Sequence, residues 1–549
     1  MASPSASPAP SASGSSRSVL VAALAVVVLV AAGWWWLGRP VAVPPSPLAP
    51  GEEIACLSYA PYEGSQTPFD PNLWIAPEQI DRQLGELAKV TSCVRTYSTG
   101  QGLAAVPEIA ARHGLKVLQG IWLGRNRTDN AKEIAAAIEL AKAYPDSIRG
   151  FVVGNEVLLR RDLPPETLVE AIRTIRKAVA PIPVTYADVW EFWERNTEIA
   201  RDVDFVTIHI LPYWEDQPVN VSKARDHVAD VRREMGTLFG DKPILIGETG
   251  WPSRGRMREG ALPTPANQVA YLSEIIALAK KNGWDYNLIE ALDQPWKRKL
   301  EGTVGGRWGV LDDAGKVKFH WGEAISNHPG WLWQAAIGIV AAAVVMGLGL
   351  KARGMNAVGR LSLIALVTGF ALPWWLEEAP VVSLDGWDWA FAAATLALTV
   401  LMPLAAAPMV ARGIPRLRLE ALLGSAETPA GTGAAGRIMG WLTFATLVIG
   451  VPTLIALLVD SRYRDFQFAA FAGPAIAVAM VGAAGAAGRV ERLFSALILV
   501  TAIGVILNEG ADNGQAWAFA LDFIVLALAL RPVGRGTPAP AGQGKAVPA

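Results

Sequence analysis

Ile244-Leu245-Ile246-Gly247-Glu248-Thr249-Gly250-Trp251-Pro252-Ser253 runs from a short apolar stretch into a carboxylate flanked by glycines, then an indole. Phe151-Val152-Val153-Gly154-Asn155-Glu156-Val157 repeats the plan earlier in the chain. Apolar runs this short, bounded by glycine, read as strands buried on both faces, as parallel sheets require. These two strands are expected over Ile148–Val153 and Pro243–Gly247. Working outward, Ala55–Tyr59, Ser92–Tyr97, Lys116–Trp122, Pro183–Ala187, Phe205–Ile210 and Tyr286–Leu292 have the same character. Amphipathic stretches such as Pro77–Ala88, Ala131–Ala143, Pro164–Ala180 and Asn267–Asn282 fall between them. Strands alternating with helices over 51–329 predict an α/β fold, a (β/α)8 TIM barrel.

In such barrels chemistry gathers at the C-terminal ends of the strands. The polar and aromatic residues expected there are Tyr59 and Tyr62 after strand one, Arg95 and Tyr97 on strand two, and Trp122 after strand three. Asn155 and Glu156 follow strand four, His209 and Tyr213 strand six, Glu248 and Trp251 strand seven, and Gln294, Trp296 and Lys297 strand eight. Two strand-end carboxylates, here Glu156 and Glu248, equip a site for acid/base and nucleophilic work on a glycosidic bond. One carboxyl must then stay protonated while the other stays ionised. A lone Glu is usually a solvated surface charge; that reading weakens here because each follows a buried strand among Gly, Asn and Trp. Trp residues at 122, 190, 193, 214, 251, 296 and 308 offer flat apolar faces for sugar rings, with Trp296 and Trp308 equally readable as core. His209 would bond Glu248 or substrate, or serve as a core histidine. The other histidines, 113, 227, 320 and 328, are scattered, so neither metal nor cofactor is expected.

Gly154-Asn155-Glu156-Val157 and Ile246–Ser253 resemble glycoside hydrolase family 17, the β-1,3-glucanase family. The resemblance covers roughly 51–325. It implies a retaining barrel with Glu156 as acid/base, Glu248 as nucleophile and Asn155 at the sugar 2-hydroxyl. Many family members place a Glu three residues before the strand-eight Lys; here Leu292-Asp293-Gln294-Pro295-Trp296-Lys297 has Gln294 there, and Glu301 is a candidate replacement for a further family acid. The opening run Leu57–Tyr62 looks like the bacterial, membrane-linked branch, which is associated with β-(1,3)- and β-(1,6)-glucan synthesis and remodelling. The activity implied is β-glucan hydrolysis or glucanosyl transfer.

Composition sets the surroundings. Mean hydropathy is +0.28, and the excess is uneven. Residues 1–18 read as a disordered cytoplasmic tail, 19–38 as a transmembrane signal anchor, and 39–50 as a Pro-rich linker. Residues 330–531 read as seven further spans, near 333–350, 359–376, 388–411, 438–459, 466–486, 491–507 and 515–530, and 532–549 as a second disordered cytoplasmic tail. Lys351, Arg353, Arg360, Arg412 and Arg489 fall in loops on one side, Arg462 and Arg464 alone on the other. That asymmetry predicts both termini inside the cytoplasmic membrane and the barrel in the periplasm. A net charge of −1 gives no footprint for nucleic acid. Lipid bilayer and β-glucan are the expected partners, with a glucan synthase or export component as a further one. An accessory barrel beside glucan-transporting spans is the alternative function. Asp522 lies mid-span, read as a bonded contact between helices or a sign of a shallower span, in preference to a functional carboxylate. Cys56 and Cys93 are read as two buried thiols in preference to a disulfide.

Overall fold

The computed structural model describes residues 13–531 apart from 425, 426, 428, 430, 485 and 486. Most of the expected tails, 1–12 and 532–549, lie outside the described residues. The chain divides into two compact units. One comprises Met1–Gly38, Gly330–Ser461 and Phe466–Ala549; the other comprises Arg39–Pro329 and Arg462–Asp465.

The second unit is a closed barrel of eight parallel strands in sequence order. They are β1 (Leu57–Ser58), β2 (Cys93–Arg95), β3 (Lys116–Ile121), β4 (Ile148–Asn155), β5 (Val184–Val189), β6 (Val206–His209), β7 (Ile244–Thr249) and β8 (Asp285–Leu288). Leu57 pairs with Leu288 to close the ring. Helices between consecutive strands include Pro77–Leu87, Arg127–Ala143, Pro165–Val179, Val221–Phe239 and Pro265–Asn282. Their apolar faces cover the outer sides of the strands: Ile80, Leu84, Ile172, Ile175 and Val228 join Leu57, Val94, Phe151, Ile208 and Ile246 in one cluster.

A second, small cluster holds Cys56, Cys93, Leu118, Val152, Ala187 and Leu245. Side chains from six strands can meet in this way only inside the ring. Strand alternation then fixes the rest of β2. Cys93 points inward, Val94 outward, and Arg95 inward again, one layer nearer the C-terminal end. Cys56 and Cys93 form a disulfide, which corrects the expectation of two thiols. Because Cys56 and Cys93 both face the barrel lumen, the bridge crosses the inside of the ring.

Two departures from expectation matter for the barrel. β8 ends at Leu288, four residues early, because the chain leaves the ladder and pairs Leu292 with Leu311 instead. The Pro-rich stretch is no free spacer: Val41 and Ile325 exchange both backbone hydrogen bonds, and Val43 and Leu48 pack on the barrel core.

The other unit is helical. Among the described residues, six helices are long and apolar enough to cross a membrane: Arg17–Gly38, Trp331–Leu348, Met355–Val382, Gly386–Arg412, Gly433–Val459 and Arg489–Glu509. The first helix begins at Ser13, so residues 13–18, expected in the tail, are helical. Two of the eight expected spans are shorter helices, Phe468–Val481 and Gly514–Leu530. The former was expected to reach residue 486; it stops where Gly482 turns to φ +72°. Thr368, Thr399, Thr443 and Thr501 return their hydroxyls to the carbonyl one turn back, as buried hydroxyls on apolar helices must. Asp522 Oδ2 is buried and has no hydrogen-bond partner among the described residues, so the expected bonded contact is not formed.

Candidate active site

Glu156 and Glu248 reach the barrel mouth because both strands break register just before them. On β4, Val152 pairs with Thr185, and the next pair is Asn155 with Ala187. On β7, Ile246 pairs with Ile208, and the next pair is Glu248 with His209. An extra residue on each strand re-aims the side chains that follow. Strict alternation from the inward Leu245 would have turned Glu248 outward. The glycines serve these irregularities. Gly154 has φ +84°, and a Cβ on Gly247 would lie 2.3 Å from Thr207 Cγ2. Glu156 itself has φ +52°, a left-handed conformation that is uncommon for a residue with a side chain and typical of functional turns. The turn is held by Glu156 N–H donating to the Ala187 carbonyl at 2.7 Å and by Asp188 Oδ2 accepting from the Leu158 amide at 3.3 Å.

One buried network joins the two carboxylates. Arg95 Nη1 donates to Glu248 Oε1 at 2.9 Å and to the Gly247 carbonyl at 2.8 Å, and its Nη2 to Asn155 Oδ1 at 2.5 Å. Tyr97 donates its hydroxyl to Glu248 Oε1 at 2.9 Å. His209 lies between the acids, Nδ1 2.9 Å from Glu156 Oε1 and Nε2 3.6 Å from Glu248 Oε1. Oxygens of Glu156 and Glu248 and a His209 nitrogen all lie within 4.8 Å of one another. The two carboxylates differ in surroundings: the Glu248 side chain is 6% exposed and that of Glu156 22%. Burial alone would raise the Glu248 pKa, but His209, Arg95, Lys297 and the Tyr97 hydroxyl outweigh it and hold the group below the ordinary carboxylate range. Three oxygen and nitrogen donors this close could hold a cation. The Arg95 guanidinium already occupies Glu248 Oε1, however, and supplies positive charge at that spot.

The strand-eight loop carries a second charge pair. Lys297 Nζ lies 3.0 Å from both oxygens of Glu290, which is fully buried. Burial pushes Glu290 up to about 7 against the opposing pull of Lys297. Glu290 therefore does for Lys297 what Gln294 cannot. Gln294 is buried and structural, its Nε2 on the Ala60 carbonyl at 2.9 Å and its Oε1 accepting from Trp296 Nε1 at 2.7 Å. Glu301, the expected replacement acid, is also raised by burial, and the charges of Glu156 and Glu248 act on it.

The remaining expected site residues divide in two. Trp122 is 40% exposed, with the Arg160 guanidinium 4.3 Å from its ring centroid. Trp296 is half-buried and meets Tyr62 and Phe69 edge to face at 5.9 and 5.7 Å. Phe69, 67% exposed, was missed by the sequence reading. Tyr59, Tyr213 and Trp251, by contrast, are buried with their polar atoms engaged by protein. Tyr59 donates to Gln83 Oε1, Tyr213 to the Arg256 carbonyl and Trp251 Nε1 to the Leu262 carbonyl. Trp193 is likewise core, which corrects the expectation of a sugar-facing indole there, and Trp308 takes the core position of its two readings. Glu290 and Asp188 were missed as well. Only their position at or just past a buried strand could have marked them, since neither sits in a glycine-rich run. Burial raises Asp188 to about 6, with the Glu156 charge adding to the rise.

Residues 56–309 match the BtgE/BtgC glycoside hydrolase domain, so the match spans the barrel and leaves the helical unit outside it. Glucan 1,3-beta-glucosidase of Saccharomyces cerevisiae is 27% identical over 262 residues, 44% of this chain and 83% of its own. The probable glucan endo-1,3-beta-glucosidase btgC of Aspergillus clavatus is 27% identical over 297 residues, 48% of this chain and 41% of its own. The crystal structure of a glycoside hydrolase family 17 beta-1,3-glucanosyltransferase from Rhizomucor miehei aligns at 24% identity with a TM-score of 0.43, covering 48% of this chain and 95% of that one.

Proposed function

We propose that the protein is a retaining β-1,3-glucan-active enzyme, a hydrolase or glucanosyltransferase, anchored in the cytoplasmic membrane with its barrel outside. The observation that carries the reading is the carboxylate pair: Glu156 just past β4 and Glu248 on β7, with oxygens within 4.8 Å. Retaining enzymes hold their carboxyls about 5–5.5 Å apart, whereas inverting ones leave room for water at about 6.5–9.5 Å. Glu248, ionised and fixed by Arg95 and Tyr97, attacks the anomeric carbon. Glu156 protonates the departing glycosidic oxygen, and a glycosyl ester forms on Glu248. In the second half Glu156 takes the proton of the attacking hydroxyl, from water or from another glucan, and the ester breaks with configuration retained. His209, bonded to Glu156 and close to Glu248, keeps the two groups in register. Trp122, 40% exposed, and the half-buried Trp296 are the indoles on which glucose units stack.

Six membrane-length helices among the described residues support the anchoring, and the loop-charge asymmetry supports the outside placement. The Cys56–Cys93 bridge agrees with an oxidising compartment. Incubating the full-length protein with laminaripentaose and sizing the products tests the reading. Shorter products alone mean hydrolysis, and products longer than the donor mean transfer. Full activity in Glu248→Gln would sink the assignment.

A further inference from the structure

Resting on that reading of the cleft, we propose that Asp465 is a positioning residue for it, holding the loop after β8 that carries Lys297. Arg462–Asp465 lies far along the chain from the barrel sequence yet belongs to the barrel's compact unit. It touches loops that follow three different strands. Asp465 Oδ2 accepts from Thr303 Oγ1 at 2.7 Å, beyond β8. Arg256 Nη1, beyond β7, donates to the Arg464 carbonyl at 2.7 Å. Tyr463 meets Trp214, beyond β6, edge to face at 5.9 Å, and the Arg462 guanidinium lies 5.8 Å from the same indole. All three loops open on the face that presents Glu156 and Glu248.

The barrel loop is shaped for this segment. Gly302 has φ +72°, and a Cβ there would lie 2.2 Å from the Tyr463 carbonyl oxygen, so only glycine permits the approach. Thr303 opens the turn Thr303–Gly306, which packs on the preceding turns Pro295–Lys297 and Arg298–Glu301. A Cβ on Gly305 would meet Glu301 Cβ at 2.6 Å and the Lys297 carbonyl at 3.1 Å, which leaves no slack between the Thr303 turn and the Lys297 backbone. Lys297 in turn holds Glu290, and its charge acts on Glu248. Releasing Thr303 therefore loosens the cation that steadies the ionised Glu248. Asp465 acts through these groups and touches no reacting atom.

Kinetics of the full-length protein on laminaripentaose test the proposal. Asp465→Ala is expected to lower kcat at least tenfold with a smaller change in KM, and to move the acid limb of the pH profile upward. Asp465→Asn keeps an oxygen for Thr303 and should stay within about threefold of wild type. Thr303→Val removes the same hydrogen bond from the barrel side; it should reproduce Asp465→Ala, and the double variant should be no worse than either single one. If Asp465→Ala does not fold, Thr303→Val carries the same expectation. Wild-type kcat and an unmoved acid limb in both variants of an active enzyme would overturn the positioning role alone. Absence of glucan activity in the wild type would instead overturn the reading of the cleft. Unfolding midpoints of the two singles and the double test the contact without substrate: additive midpoints would overturn it.

Discussion

Arg95→Met removes the one guanidinium that binds Glu248, Asn155 and the Gly247 carbonyl together, and leaves the apolar stem in place. The pair is buried on both sides, with Arg95 wholly enclosed and Glu248 6% exposed, so solvent screening does little to weaken it. An opposite charge at this distance lowers a carboxylate by about 1–3 pKa units, worth about 1.4–4 kcal/mol. Removing one partner of a buried pair costs about 3–5 kcal/mol of stability, which is the same order. With Arg95 gone, burial dominates and the Glu248 pKa rises. The acid limb of kcat/KM should therefore move up by about 1–3 pH units. Because the wild-type group starts below 4.5, activity at pH 5 should fall further than activity at pH 8, by up to about 3-fold for a one-unit move and up to about 200-fold for three units. Stability follows the same sign. In wild type the depressed carboxylate contributes stability above its unfolded pKa and loses it as pH falls through the folded value. In the variant the unpaired charge destabilises most at neutral pH, and the deficit shrinks on acidification. The assay is laminaripentaose turnover from pH 4 to 9, with unfolding midpoints at each pH. An acid limb that stays put or moves down would refute the placement of Glu248 in this network.

Glu290→Gln tests the second charge pair. Its carboxyl is raised to about 7, so the stability it contributes is present below about pH 4.5 and is lost as pH climbs through 7. That slope should vanish in the variant, and kcat should fall because Lys297 is left unheld; a wild-type slope in midpoint against pH would refute the pair. Reducing the Cys56–Cys93 bridge, or Cys93→Ser, frees a crosslink with a sequence separation of 37, worth about 4 kcal/mol by the loop-entropy relation. A lowered unfolding midpoint is expected, and an unchanged one under reductant would contradict the bridge.

The barrel was legible because each strand needs a short apolar run and each run was bracketed by glycine or a helix pattern. Glu156 and Glu248 were legible because they sit in glycine-rich runs at strand ends. The bulges that aim them were not, since one extra residue in a ladder changes pairing and leaves no mark on composition. Trp251 and Trp193 read as sugar platforms and proved to be core: an indole says nothing about which face of its loop it takes. Glu290 hid because a residue just past β8, four places before Gln294, carries no motif. Asp465 hid for a different reason. Its partner Thr303 is distant in sequence, and only packing brings the two together. The disulfide was misread for want of knowing that Cys56 and Cys93 both face the lumen.

The central claim is that Glu248 forms a glycosyl ester, with Glu156 as its acid/base. Proton NMR of fresh laminaripentaose digests, read before mutarotation, tests it most directly. The account predicts that the new reducing ends, or the new linkages, appear first in the β configuration. Reducing ends appearing first as the α anomer would contradict it.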